Sequence, residues 1–164
     1  MCVITHKYRR LSLGKALSQR LHQAQFENCE QEAVLNLFVS VSYIRQRLNT
    51  LLGKYGITMT QYNVLRILRG VHPEGHPRCE IMARMLEPSP DATRLIDRLV
   101  RARLVERAGA RGDRRMSVAR ITTKGLRLLE EIGPLVAKEQ NEVLKHLSES
   151  ECRELSDLCE KIYS

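Results

Sequence analysis

The 164-residue chain has no tryptophan and only two phenylalanines. With five tyrosines as the other aromatics, base stacking is not expected as the main way of binding single-stranded nucleic acid. The five cysteines, Cys2, Cys29, Cys79, Cys152 and Cys159, are odd in number and scattered, and no CxxC occurs. That spacing encodes neither a disulfide framework nor a zinc ribbon, and reduced thiols in a cytoplasmic protein are expected. Cys152 and Cys159 on one helix would stand ~10 Å apart along its axis, too far for a disulfide. There is no run of ~18 apolar residues and no apolar signal-peptide core at the N-terminus, so a membrane is not among the expected partners. Acids are missing before Glu27, and lysines are missing from Arg78 to Arg120.

What is present is basic charge. Lysine and arginine total 27 against 19 acids, for a net charge of +8. Such a balance favours a polyanionic partner when the charge is clustered. It is clustered: Arg78 to Arg120 holds eleven arginines against six acids. Guanidinium groups suit planar, bidentate recognition of phosphate and guanine.

Residues 88–121 organise the rest. Ser89 is a candidate N-cap, with Pro90 at the first helical position and Asp91 in the first turn. Ala92, Leu95, Ile96 and Leu99 follow at i, i+3, i+4, i+7, which makes one buried stripe. The opposite face carries Asp91, Arg94, Asp97, Arg98 and Arg101, where Asp97 and Arg101 are spaced for an i, i+4 pair. Leu104–Arg107 and Ser117–Ile121 read as strands joined by a basic turn over 108–115. A cationic helix beside a β-ribbon is a winged helix.

Around this stretch lie further helices. Leu13, Leu17, Leu21 and Ala24 are spaced for a short helix in a basic N-terminal extension, which also reads as a frayed tail. Asn28 with Gln31 is a capping-box pattern opening a long helix with a wide apolar band from Val34 to Tyr55, ended by Gly53 and Gly56. Thr58 with Gln61 opens another, ending at Gly70. A loop over 70–78 precedes a short helix over 79–86, and with the helix at 90–102 this is helix-turn-helix order. Thr122 caps a helix to about His146 that Pro134 is expected to kink. Ser148 with Glu151 opens the last helix, with Leu155, Leu158, Cys159, Ile162 and Tyr163 apolar.

Five segments in this order resemble the MarR family of winged helix-turn-helix regulators: Gly56-Ile-Thr-Met-Thr-Gln-Tyr-Asn-Val-Leu65, Thr93-Arg-Leu-Ile-Asp-Arg-Leu99, Leu104-Val-Glu-Arg107, Gly112-Asp-Arg-Arg115 and Ile121-Thr-Thr-Lys-Gly125. The resemblance implies a mainly α fold with a small β-ribbon wing. It implies a basic extension over 1–27 and a MarR-like domain over 28–164, with dimerisation helices at 28–55 and 122–164 around a winged helix-turn-helix at 58–121. It also implies a homodimer on pseudo-palindromic double-stranded DNA, usually a repressor, released by a small-molecule effector. The chain departs from the family at Arg103, where a glycine is usual, and the side chain there faces a cost of roughly 1 kcal/mol or a different backbone conformation. The position matching the reactive cysteine of the family's peroxide sensors is Val34, so that role is not carried over to Cys29.

The candidate DNA contacts are therefore Ser89, Thr93, Arg94 and Arg98 on the recognition helix, and Arg111, Asp113, Arg114 and Arg115 in the wing, Asp113 as a brace for an arginine. No catalytic residue, cofactor or resident metal is expected. The alternatives are a regulator responsive to thiol oxidation or to metal, and a small zinc-dependent enzyme using His72, His76 and Cys79 with Glu74 nearby.

Overall fold

The structure, a computed structural model, describes residues 15–87, 91–110 and 113–164, with the backbone alone at 110 and 113–116. The chain divides into two compact units, Met1–Tyr43 and Ile44–Ser164.

In the first unit the extension forms a short helix, α1 (Lys15–Leu21), with Leu17 buried. The expected stripe is only partly realised, since Leu21 and Ala24 are exposed and Leu13 lies outside the described residues. Asn28 caps α2 (Cys29–Gly53), its Oδ1 accepting from the Gln31 N–H at 2.7 Å. The return bond reaches one residue further back than a capping box requires, because Gln31 Oε1 accepts from the Glu27 N–H. Within this unit Val34, Phe38 and Val41 of α2 are exposed.

The second unit holds the core. The final turns of α2 contribute Leu48 and Leu52, and α3 (Met59–Arg69) contributes Tyr62, Val64, Leu65 and Leu68. Thr58 and Gln61 form the expected capping box at the start of α3. The loop before the next helix is not a plain loop. It contains a two-residue strand, β1 (His76–Pro77), that pairs antiparallel with β3 (Asp113–Ile121) through His76↔Ala119 and Pro77↔Val118. β2 (Val105–Ala110) lies on the other side of β3, giving a three-stranded sheet in the order β1-β3-β2. Proline is tolerated in β1 because it is an edge strand.

Other boundaries differ from the sequence reading. α4 (Arg78–Ala83) stops three residues short of the expected 86. α5 (Ala92–Arg101) begins later than a Ser89 cap would give, and Asp91 is its N-cap, without a side-chain capping bond. Ser89 and Pro90 lie outside the described residues. The wing strands are longer than expected and carry a register irregularity at Gly109/Ala110. α6 (Thr123–Leu144) is capped by Thr122 as expected and continues through Pro134 as one helix. α7 (Glu149–Tyr163) opens with the Ser148–Glu151 capping box.

The stripe of α5 is buried as its spacing dictates: Ala92, Leu95, Ile96 and Leu99. They join Ile81, Val105, Ala119, Ile121, Leu129, Ile132 and Val136 in or beside one cluster. Two helix ends share a design. After α2, the Ile57 N–H donates to Leu52 O and the Gly56 N–H to Gly53 O, with Gly56 at φ +71°. After α5, the Leu104 N–H donates to Leu99 O and the Arg103 N–H to Val100 O, with Arg103 at φ +60°. Both are the Schellman arrangement, in which a left-handed residue lets the chain turn back onto the last carbonyls. Arg103 thus keeps the glycine conformation of the family rather than adopting another.

The start of α6 fastens this second end. Thr122 Oγ1 donates to Arg103 O at 2.8 Å, Lys124 Nζ to Ala102 O at 2.9 Å, and the Thr122 N–H to Leu104 O at 3.0 Å. Gly125 permits the approach, since a Cβ there would overlap the Leu104 carbonyl oxygen.

Candidate nucleic-acid interface

α5 is a helix with two chemically opposite sides. Its apolar stripe is locked in the core, so its register is fixed and the remaining side chains have one direction to point. Thr93, Arg94, Arg98 and Arg101 are exposed. The Arg94 side chain is 79% exposed, and its Nη1 lies 3.3 Å from Asp91 Oδ2. The Asp91 that opens the helix therefore serves Arg94 rather than a backbone N–H.

Asp97 does not pair with Arg101. Its Oδ1 accepts from Arg107 Nη2 of β2 at 2.6 Å, which ties the helix to the wing. Among the described residues Arg98 and Arg101 carry no ion pair. Helix spacing alone did not reveal this pairing. The signal was the alternation of β2, which puts Arg107 two residues on from buried Val105 and on the same side of the strand.

A second arginine braces the wing from the central strand, β3. Arg120 Nε donates to Glu74 O at 3.0 Å and Nη2 to Gly109 O at 3.2 Å. From the middle of the sheet Arg120 thus ties the segment before β1 to the end of β2. The side chains of Asp113, Arg114 and Arg115, and the whole of Arg111, lie outside the described residues, as does Ser89.

Beside α5 is an open groove of about 520 Å³, lined among others by Asn49, Thr58, Thr60, Asp91, Arg94 and Arg98. Two guanidinium groups, one of them paired with the Asp91 carboxylate, share this wall with two threonines, an amide, Ile57 and Leu95.

The candidate zinc set is dispersed. Among the described residues no group of three or more His, Cys, Asp or Glu is arranged to hold a metal ion. His76 is taken up by β1, where its Nε2 is buried without a hydrogen-bond partner, while Cys79 is exposed on α4. Cys29 is the first residue of α2 and is exposed. Its thiol donates to the Glu30 carboxylate at 3.3 Å, and this bond, with the carboxylate's charge, raises its pKa above the usual thiol range. That lowers the thiolate fraction on which reactivity depends. No helix among the described residues is long and apolar enough to cross a membrane.

Comparison with known proteins agrees with this geometry. The family model described as "MarR family" matches residues 55–116. The HTH-type transcriptional regulator MhqR of Bacillus subtilis (strain 168) is 31% identical over 135 residues, which is 80% of this chain and 92% of the relative. The crystal structure of a MarR transcription factor from Planctomyces limnophilus is 35% identical with TM-score 0.64, covering 83% of this chain and 98% of that one. A cysteine-to-serine mutant of MarR from E. coli, complexed with operator DNA, is 26% identical with TM-score 0.70, covering 78% of this chain and 91% of that one. By its α3–α5 helix-turn-helix, its β-wing and these relatives, the chain belongs to the MarR family of DNA-binding transcription regulators.

Proposed function

We propose that this regulator is a repressor that binds a pseudo-palindromic operator as a homodimer, and that a small ligand releases it. The observation that carries the reading is the outward face of α5, where Thr93, Arg94 and Arg98 stand opposite a fully buried stripe. Such a helix lies in the major groove, where guanidinium groups read guanine edges and neutralise phosphates. Ser89 at its entrance and Arg111, Asp113, Arg114 and Arg115 in the wing complete the contact set, the wing arginines reaching the minor groove.

Dimerisation through the helices at 28–55 and 122–164 is supported by apolar side chains left in water. Phe38 of α2 is 68% exposed and Ile162 of α7 is 67% exposed. Ligand release is supported by the groove at Arg94 and Arg98. A bound anion there would compete with phosphate for the same guanidinium groups and would bias the spacing of the two recognition helices.

The test is footprinting upstream of the protein's own gene, followed by anisotropy titration of the protected duplex over a range of salt. Arg94→Ala and Arg98→Ala should each cost about 1–3 kcal/mol in binding, with a steep salt dependence in the wild type. Unchanged affinity in both variants would overturn the placement of α5. Repeating the footprint with phenolic carboxylates tests release.

A further inference from the structure

An acid on a surface that meets DNA is a liability. It repels phosphate, and it can capture a neighbouring arginine. Asp97 is such an acid, one position from Arg98, three from Arg94 and four from Arg101 on α5. On an isolated helix it would pair at i, i+3 or i, i+4 with Arg94 or Arg101 and draw that cation away from the DNA. Instead its Oδ1 is held at 2.6 Å by Arg107 Nη2, from a strand ten residues further on. Among the described residues this leaves Arg98 and Arg101 without an ion pair, and Arg94 with Asp91 only.

We infer that Arg107 is a positioning residue for DNA recognition: it occupies and neutralises Asp97 so that the cations of α5 remain available to DNA. The inference rests on the reading of α5 as the recognition helix. Arg107 acts through Asp97 and not by touching DNA. This separates it from two simpler roles, a phosphate contact by Arg107 and a bridge that merely holds the wing.

The three roles give different patterns in a double-mutant experiment on the full chain. The probe is a fluorescent duplex that the wild-type protein selects from a randomised pool. Dissociation constants are measured for Arg107→Gln, Asp97→Asn and the double variant, with thermal midpoints recorded alongside. Arg107→Gln exposes a bare carboxylate and should weaken binding about fivefold to tenfold. Asp97→Asn should tighten it, since the acid is gone. The double variant should return to within about twofold of the wild type, because without the acid there is nothing for Arg107 to neutralise.

If the double variant stays as weak as Arg107→Gln, Arg107 is a direct phosphate contact and the inference is wrong. If Asp97→Asn is as weak as Arg107→Gln, the bridge itself is what matters and the inference is wrong. Arg107→Lys keeps the charge and should bind within a few-fold of wild type, which preserves the test should the glutamine variant fail to fold; loss of binding in a folded lysine variant would count against neutralisation. Arg94→Ala and Arg98→Ala are the controls for the underlying reading. Unchanged affinity in both removes the recognition helix and this inference with it, whereas a loss in either with no effect in Arg107→Gln overturns the inference alone.

Discussion

Gly56 and Arg103 stand at equivalent points of two helix ends, at φ +71° and +60°. Glycine takes that conformation freely, and an arginine there is strained by about 1 kcal/mol. Arg103→Gly should therefore stabilise the fold by up to about 1 kcal/mol, read as a rise in the urea midpoint at unchanged slope. Gly56→Ala should move the midpoint the other way. A destabilised Arg103→Gly would mean that its side chain makes a compensating contact. The strained position was legible in the sequence, because the family motif has glycine there. That Arg103 keeps the conformation was not, since it depends on the Thr122 hydroxyl and on the two backbone bonds that close the turn.

Cys29 offers a second measurement on a single residue. With its pKa raised by the Glu30 carboxylate, its thiolate fraction at a given pH is lower than that of an ordinary thiol. Alkylation by iodoacetamide near pH 8 should accordingly be slower than for an unperturbed exposed thiol, and Glu30→Gln should speed it. Equal rates in the two proteins would show that the carboxylate does not govern this thiol.

Elements were legible in proportion to their length and periodicity. The stripe of α5, the capping boxes of α3 and α7 and the Thr122 cap are local patterns, and all four are in place. β1 was invisible because two residues, one of them proline, show no alternation, and its existence depends on a partner forty residues away. The extra length of the wing strands was hidden by Gly109 and by the irregularity that follows it. At this scale the junction of α5, β2 and α6 is the tightest constraint. Gly125→Ala would force a methyl into the Leu104 carbonyl and the Ile121 side chain. It should cost about 1–3 kcal/mol, measured by thermal or chemical denaturation. A neutral substitution would mean that α6 can shift outward without penalty.

For the whole molecule, the exposed apolar residues of α7 are the feature that a lone chain does not explain. Leu155, Leu158, Ile162 and Tyr163 all face water. In the proposed homodimer they would be buried, and Ile162→Asp should convert the dimer to a monomer in sedimentation velocity while leaving helix content unchanged. A persistent dimer would exclude α7 from the interface. Operator binding should weaken in that monomer, since each half-site is then bound alone.

The three bonds from the start of α6 to the carbonyls of Ala102, Arg103 and Leu104 give this arrangement a mechanical reading. α6 is about 33 Å long and is pinned at one end to the terminus of α5. With Leu129, Ile132 and Val136 also seated in the core, the first half of α6 and the end of α5 form one braced corner, so the angle of α6 sets the angle at which the cationic helix is presented.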